Sequence, residues 1–226
     1  EKLFQRFCAI GELSDIEARE VVYRHEDEHA LRHLFRVAAS LDSLVPGETQ
    51  ITGQLKQAFD TAFELGTAKA NFNRIYQRML QAAKVVRNGT NLGEGAISVS
   101  SVAVQLAQTI FDDLASKRVL LVGAGEMCGL AGQHFQSAGV SSITVANRTL
   151  ERARILAAKF TGESRQLDDL PELLAGHDIV FSCTAAENCV ITLDDIKKTM
   201  RKRRGQPLFL IDVAVPRDID PAIQSL

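Results

Sequence analysis

The run Arg-Val-Leu-Leu-Val-Gly-Ala-Gly-Glu-Met-Cys-Gly at residues 118–129 constrains the fold more than any other stretch of the chain. Its short Val- and Leu-rich start reads as a buried strand of a parallel sheet. The strand stops at Gly123-Ala-Gly125, and an amphipathic helical pattern follows over 126–138. A strand, glycine turn and helix in this order can receive a pyrophosphate. Glycine lets the backbone approach, and the helix N-terminus offers N–H donors and the positive end of a dipole. The fingerprint is imperfect, because Cys128 holds the third glycine position and glycine arrives only at Gly129. A second strand over 142–148, at the spacing of a βαβ unit, supports it. Gly123, Ala124, Gly125, Glu126, Met127 and Cys128 are the expected phosphate loop.

The second strand points to one dinucleotide over the other. NAD-binding folds usually place Asp or Glu about 20 residues beyond the glycines, where it accepts from the ribose 2′-hydroxyl. Here the strand ends Ala146-Asn-Arg-Thr149, without a carboxylate at its tip. Arg148 can pair with a 2′-phosphate and stack on adenine, Asn147 and Thr149 can donate hydrogen bonds, and Arg152 can add a second charge one helical turn on. The plainer alternative makes Arg148 a solvated strand end and Asn147 to Thr149 the cap of the next helix. The pattern favours NADPH.

Around these motifs the chain divides near residue 116. Residues 1–115 carry helical periodicity, with helices expected over 26–41, 49–65, 71–86 and 98–115. From Arg118 onward strands and helices alternate, with strands expected over 119–122, 143–146, 179–183 and 208–213 and a weaker one over 163–167. The expected class is α/β. A Rossmann-like, doubly wound parallel sheet for NADP, expected to be C-terminally truncated (117–226), follows an all-helical remainder of a catalytic domain (1–95) and a connecting helix (96–116).

The 226 residues are 46% hydrophobic and 24% charged, enough for one large or two modest domains. No apolar run reaches membrane-spanning length and no signal peptide is visible, so a cytoplasmic protein is expected. Cys8, Cys128, Cys183 and Cys189 show neither CxxC spacing nor a disulfide framework, which suits reduced thiols. A net charge of −2 gives no global basic footprint for nucleic acid. The start at Glu-Lys, without methionine, suggests a piece of something longer.

Two motifs are read as decoys. His25-Glu-Asp-Glu-His29 matches HExxH, and Glu48 downstream could be a third zinc ligand. The match is hydrophilic throughout and straddles an expected helix start, where acidic residues have their own explanation, so no metal is expected. Lys197-Lys-Thr-Met-Arg-Lys-Arg-Arg204 could meet RNA phosphates. It closes a helix, however, where cations suit the negative dipole end, and a solvated helix end is expected.

The helical half holds a denser set of polar groups. His33 falls on the helix face of Ala30, Leu34, Val37 and Leu41, and is expected to point toward apolar surroundings. Beyond it, Ser43, Glu48, Thr49, Gln50 and Gln54 cluster around a turn and a helix opening. Gln50 and Gln54 share a face. Such a set suits a small substrate bearing an amine and a carboxylate, and equally suits an ordinary capped helix start.

The stretch Ser40-Leu-Asp-Ser-Leu-Val-Pro-Gly-Glu-Thr-Gln-Ile-Thr-Gly-Gln-Leu-Lys56 resembles the signature of the glutamyl-tRNA reductases. The likeness continues through Gly95-Ala-Ile-Ser-Val-Ser-Ser101, Leu121-Val-Gly-Ala-Gly-Glu126, Ala146-Asn-Arg-Thr149 and Ile211-Asp-Val-Ala-Val-Pro-Arg-Asp218. The resemblance implies NADPH-dependent reduction of glutamyl-tRNA to glutamate-1-semialdehyde, the opening of the five-carbon route to 5-aminolevulinate and tetrapyrroles. In that family a cysteine thiolate attacks the aminoacyl ester, and the thioester accepts hydride. Carried over residue by residue, His33 matches a histidine near the reacting centre. Ser43, Glu48, Gln50 and Gln54 match the glutamyl pocket, Gly123 to Cys128 the pyrophosphate loop, and Arg148 the 2′-phosphate reader.

The family's nucleophile sits in a Thr-Cys-Asn-Arg-like segment with no counterpart among residues 1–226. The piece is therefore expected to be inactive alone. The resemblance further implies a homodimer for the full-length protein and a downstream aminomutase as a partner. The rival readings are a shikimate-dehydrogenase-like oxidoreductase, which shares the Asn-Arg-Thr tip but leaves 40–56 unexplained, and a non-catalytic dinucleotide sensor built from 117–226.

Overall fold

A computed structural model describes residues 2–226 apart from 44, 45, 48, 49, 91 and 93–97. The chain forms two compact units, Glu1–Ala96 and Ile97–Leu226.

The first unit is helical: α1 (Lys2–Ile10), α2 (Asp15–Val21), α3 (Asp27–Ala38), α4 (Gln50–Glu64) and α5 (Ala70–Gly89). Helical periodicity was expected throughout residues 1–115 with the first bounds given at 26–41, and α1 and α2 precede these; a start signal for α2 is present. Ser14 Oγ accepts from the Glu17 N–H at 3.3 Å while the Glu17 carboxylate accepts from the Ser14 N–H at 2.9 Å, a reciprocal capping box. Asp27 and Glu28 lie in the first turn of α3, where negative charge complements the dipole. Helices α3, α4 and α5 meet over buried Ala38, Met79 and Ala83, edged by Leu34, Phe35, Leu55, Phe59, Tyr76 and Leu80. A polar tie joins the same three helices. Thr52 Oγ1 donates to the Ala38 carbonyl at 3.2 Å and accepts from Arg87 Nη2 at 3.0 Å.

The second unit runs α6 (Val99–Ile110), β1 (Arg118–Val122), α7 (Glu126–Ser137), β2 (Ser142–Asn147), α8 (Leu150–Ala158), β3 (Glu163–Gln166), α9 (Leu170–Gly176), β4 (Ile179–Ser182), α10 (Leu193–Arg203) and β5 (Phe209–Asp212). All strand pairings are parallel, in the order β3-β2-β1-β4-β5. The period of two along β1 distributes its side chains between two layers. Val119 and Leu121 pack with α6, α7 and α8 residues such as Val104, Phe135 and Leu156. Leu120 and Val122 pack with Leu173 and Leu174 of α9 and Ile196 of α10. Covered faces on both sides explain why β1 and β4 are continuous apolar runs, and confirm the doubly wound α/β class.

Two expectations are corrected. The helix expected over 98–115 ends at Ile110, because Phe111 turns extended (φ −116°, ψ 123°) and sends its ring, with Leu114, into the sheet core. Asp113 then caps the next turn, accepting from the Ala115 N–H at 2.9 Å. Nor is the basic end of α10 simply solvated, since Arg203 is buried. Its Nε donates to the Gln206 carbonyl at 3.2 Å, Nη1 to the carbonyls of Ala175 (3.2 Å) and His177, and Nη2 to Pro207 O (2.5 Å) and Asp178 Oδ1 (3.3 Å). A planar fork of five donors is fully used inside the fold. Among the described residues no helix is long and apolar enough to cross a membrane.

Candidate functional site

In the second unit, β1 is flanked by β2 on one side and β4 on the other, so the connections diverge at its carboxyl end. Open α/β sheets bind ligands in the crevice at such a switch point. A cleft of about 380 Å³ lies there. Its floor is Gly123, Ala124 and Gly125; one wall is Asn147, Arg148, Thr149 and Arg152 with Leu167; the other is Cys183, Thr184, Ala185 and Ala186.

Gly123 is at φ +108°, and a Cβ there would stand 2.3 Å from the Cys183 carbonyl oxygen. The chain can therefore pass from β1 to α7 this closely only with glycine. Gly125, the N-cap of α7, has no side chain with which to cap that end, and it lines the cleft floor. Asn147 braces the opposite wall, its Nδ2 donating to the Thr149 carbonyl at 3.0 Å. Arg148 and Arg152 are exposed. On the outer side of the same helix Arg154 is engaged with Glu151 at 3.4 Å.

The other residues of the expected phosphate loop lie in α7 and outside the cleft lining. Glu126 opens onto a neighbouring groove between α7 and α8, with Gly129 and Gln133. The Met127 carbonyl accepts from Ser100 Oγ at 3.3 Å. Cys128 is fully buried, its thiol 3.5 Å from the Val122 carbonyl. Burial pushes the Cys128 thiol well above its ordinary range, with the neighbouring Cys183 and Asp218 adding to it. Cys183 follows the end of β4 rather than lying within it, and is raised by burial and then by Asp218 and Asp212. Both thiols stay protonated at neutral pH and are poor nucleophiles. Cys8 is buried and Cys189 exposed.

Sequence reasoning missed the wall at 183–186 and what anchors it. Asp218 is completely buried. Its carboxylate accepts from Ser182 Oγ at 2.7 Å, the Thr184 N–H at 2.7 Å and Thr184 Oγ1 at 2.5 Å. Its carbonyl accepts from the N–H groups of Val190 (2.6 Å) and Ile191 (2.9 Å). Asp212 holds the intervening turn by accepting from the Ala214 N–H at 3.0 Å and the Ile219 N–H at 2.9 Å. Position at the end of β4, beside the switch point, was the available signal for the wall.

In the first unit His33 is part-buried, but its surroundings are polar and aromatic, which corrects the expected apolar setting. Its Nε2 lies 3.1 Å from Tyr23 Oη and its Nδ1 3.3 Å from Asp42 Oδ2. The rings of Tyr23 and His25 stand 5.2 and 5.0 Å from it. His25 precedes α3, so the HExxH match is not presented on one helix; among the described residues no cluster suits a metal ion. Ser43 follows Asp42 in the turn, and Gln50 and Gln54 sit one helical turn apart at the start of α4. Glu48 and Thr49 lie outside the described residues.

Comparison with known proteins matches both units. Residues 1–90 match the family described as glutamyl-tRNA(Glu) reductase, N-terminal domain. Residues 105–226 match the family described as shikimate / quinate 5-dehydrogenase. The chain is 48% identical to the glutamyl-tRNA reductase of Nitratidesulfovibrio vulgaris (strain DP4) over 91% of its own length and 47% of that protein's. It is 46% identical to the glutamyl-tRNA reductase of Pseudomonas entomophila over its whole length and 53% of that protein's. A solved structure, glutamyl-tRNA reductase from Methanopyrus kandleri, is 41% identical with a TM-score of 0.56, covering 89% of this chain and 51% of that one. The chain thus spans about half the length of the curated relatives it matches. It belongs to the glutamyl-tRNA reductase family, with residues 105–226 folded as the nucleotide domain that the shikimate / quinate dehydrogenase family shares.

Proposed function

We propose that this chain serves the NADPH-dependent reduction of glutamyl-tRNA to glutamate-1-semialdehyde, the first step of the five-carbon route to tetrapyrroles. The observation that carries the reading is the pairing, in one chain, of a dinucleotide cleft walled by Arg148 and Arg152 with a His33 site in the part that matches the reductase N-terminal domain. NADPH supplies the hydride. Gly123 to Gly125 and the α7 N-terminus receive its pyrophosphate, and Arg148 and Arg152 take the 2′-phosphate by charge-assisted hydrogen bonds. Ser43, Gln50 and Gln54, with Glu48 and Thr49, hold the glutamyl group. His33 orients the ester or moves a proton at its carbonyl. The thioester-forming cysteine is assigned to the part of the relatives' length that this chain does not span, since none of Cys8, Cys128, Cys183 and Cys189 has the Thr-Cys-Asn-Arg-like context, and burial also holds Cys128 and Cys183 as thiols. Homodimerisation of the full-length protein, hand-over to an aminomutase and a cytoplasmic setting belong to the same reading. A shikimate-dehydrogenase-like activity leaves residues 1–90 without a role.

The test is a titration of the full-length protein with NADPH and NADH, beside glutamyl-tRNA-dependent NADPH oxidation. A charge-assisted bond is worth about 1.5–3 kcal/mol, or roughly one to two decades in affinity. NADPH should bind tighter by that margin, and Arg148→Ala should erase the difference. Equal affinities would reject the cofactor assignment, and absence of tRNA-dependent oxidation would reject the reaction.

A further inference from the structure

Four titratable side chains in the first unit converge outside any described cavity. Tyr23, His25 and His33 pack ring against ring, with centroids 5.0 to 5.2 Å apart, and Asp42 closes the far side of His33. A built turn brings Asp42 there. Ser40 is buried with φ +56°, a left-handed conformation that reverses the chain at the end of α3. The Leu41 N–H donates to the Arg36 carbonyl at 2.9 Å and the Gly47 N–H to the Ser40 carbonyl at 2.8 Å. The turn folds back along α3 and sets a carboxylate beside an imidazole that precedes it in sequence.

We propose that Asp42 is the positioning residue of His33: it fixes the imidazole in the Nδ1–H tautomer, so that Nε2 is the nitrogen that meets the substrate. The inference rests on the reading of His33 as the acid/base group of the reductase. A neutral imidazole has one donor and one acceptor nitrogen. Asp42 is an acceptor only and faces Nδ1 at 3.3 Å, so the proton belongs on Nδ1. Nε2 then accepts from the Tyr23 hydroxyl at 3.1 Å, which marks the direction in which its lone pair points. The side chain of His33 is 25% exposed and that of Asp42 47%. A pair this open contributes little to stability, whereas orientation of the ring and choice of nitrogen require only the geometry. Tyr23 and His25 limit rotation of the ring from the other sides.

The experiment uses the full-length protein labelled with 15N-histidine and assigned by His33→Gln, at about pH 8, where an ordinary imidazole is neutral. His33 should show an N–H-type Nδ1 and a pyridine-type Nε2. In Asp42→Asn the amide can donate to Nδ1 and invert the tautomer. The kcat for glutamyl-tRNA reduction should then fall at least about tenfold, as for other orienting carboxylates, and Asp42→Glu should restore part of it. NADPH affinity should be unchanged, and the melting temperature should move by less than about 3 °C. An Nε2–H tautomer in the unsubstituted protein overturns the proposal, as does an Asp42→Asn protein that keeps its kcat. The tautomer is read without substrate, so a protein that failed to reduce glutamyl-tRNA would reject the function while the spectrum still decided the role of Asp42.

Discussion

Replacing Gly123 and Gly125 by alanine separates folding from cofactor binding within one short loop. At Gly123 the added methyl would stand 2.3 Å from the Cys183 carbonyl oxygen, on a backbone at φ +108°. The conformation alone costs about 1–2 kcal/mol for an L-residue. Relief of the overlap has to move backbone on both sides. It puts at risk the bond from the Gly123 N–H to the Ala146 carbonyl, 2.8 Å long and worth about 1 kcal/mol. A loss of about 3–5 kcal/mol follows, which for a chain of this size lowers the melting temperature on the order of 10 °C. At Gly125 a Cβ meets nothing within 4 Å. Alanine caps a helix less well than glycine, but it reduces the entropy of the unfolded chain by a similar amount. Stability should therefore stay within about 1 kcal/mol, while the methyl obstructs pyrophosphate approach and weakens NADPH binding at least about tenfold. Thermal unfolding followed by circular dichroism, paired with fluorescence titration of NADPH, reads both effects. If Gly123→Ala melts within 2 °C of the unsubstituted protein, or the two variants behave alike, the argument from close approach is wrong.

Three further outcomes follow from the second unit. Asp218→Ala strands buried donors on Ser182 and Thr184, and should cost at least about 3 kcal/mol in denaturant unfolding; milder Asp218→Asn should still weaken NADPH binding by displacing the 183–186 wall. Arg203→Lys cannot satisfy the same set of carbonyls with a point charge and should destabilise by about 2–4 kcal/mol, where a solvated helix end would tolerate it. Burial holds the pKa of His177 below its ordinary value, with its Nδ1 donating to the Leu173 carbonyl at 2.6 Å and its Nε2 accepting from Thr144 Oγ1 at 2.9 Å. Below about pH 6.5 the unfolded chain therefore binds the extra proton. Stability should fall as pH drops through that range, and a His177→Gln protein should show a shallower slope between pH 7 and 5.5; an unchanged slope would mean that His177 is not the titrating group.

What the sequence disclosed depended on how local the cause was. β1, the glycine turn and β2 were legible because strand period, turn chemistry and a bounded apolar run lie within a few residues of one another. The end of α6 was not, because Phe111 and Leu114 continue an apolar pattern that looks helical while in fact serving the sheet core. His33 was placed on a helix face by periodicity, and that face misled, because Tyr23 and Asp42 reach it from segments outside the helix. The α2 start at Ser14 and Glu17 was a local signal that could have been read. Arg203 and Asp218 were hidden for the opposite reason: their partners are remote in sequence, and a run of basic residues or a lone aspartate gives no hint of them.

The position of Asp218 also orders events during synthesis. A ribosome delivers β1, the glycine turn and β4 long before it delivers the carboxylate that secures the end of β4. Until β5 is made, β1 is the one neighbour in the sheet order that β4 can pair with, and its other side is an open apolar strand edge. Residues 212–219 thus tie the end of β4 to the segment that follows β5, and until they emerge that strand end lacks its buried carboxylate.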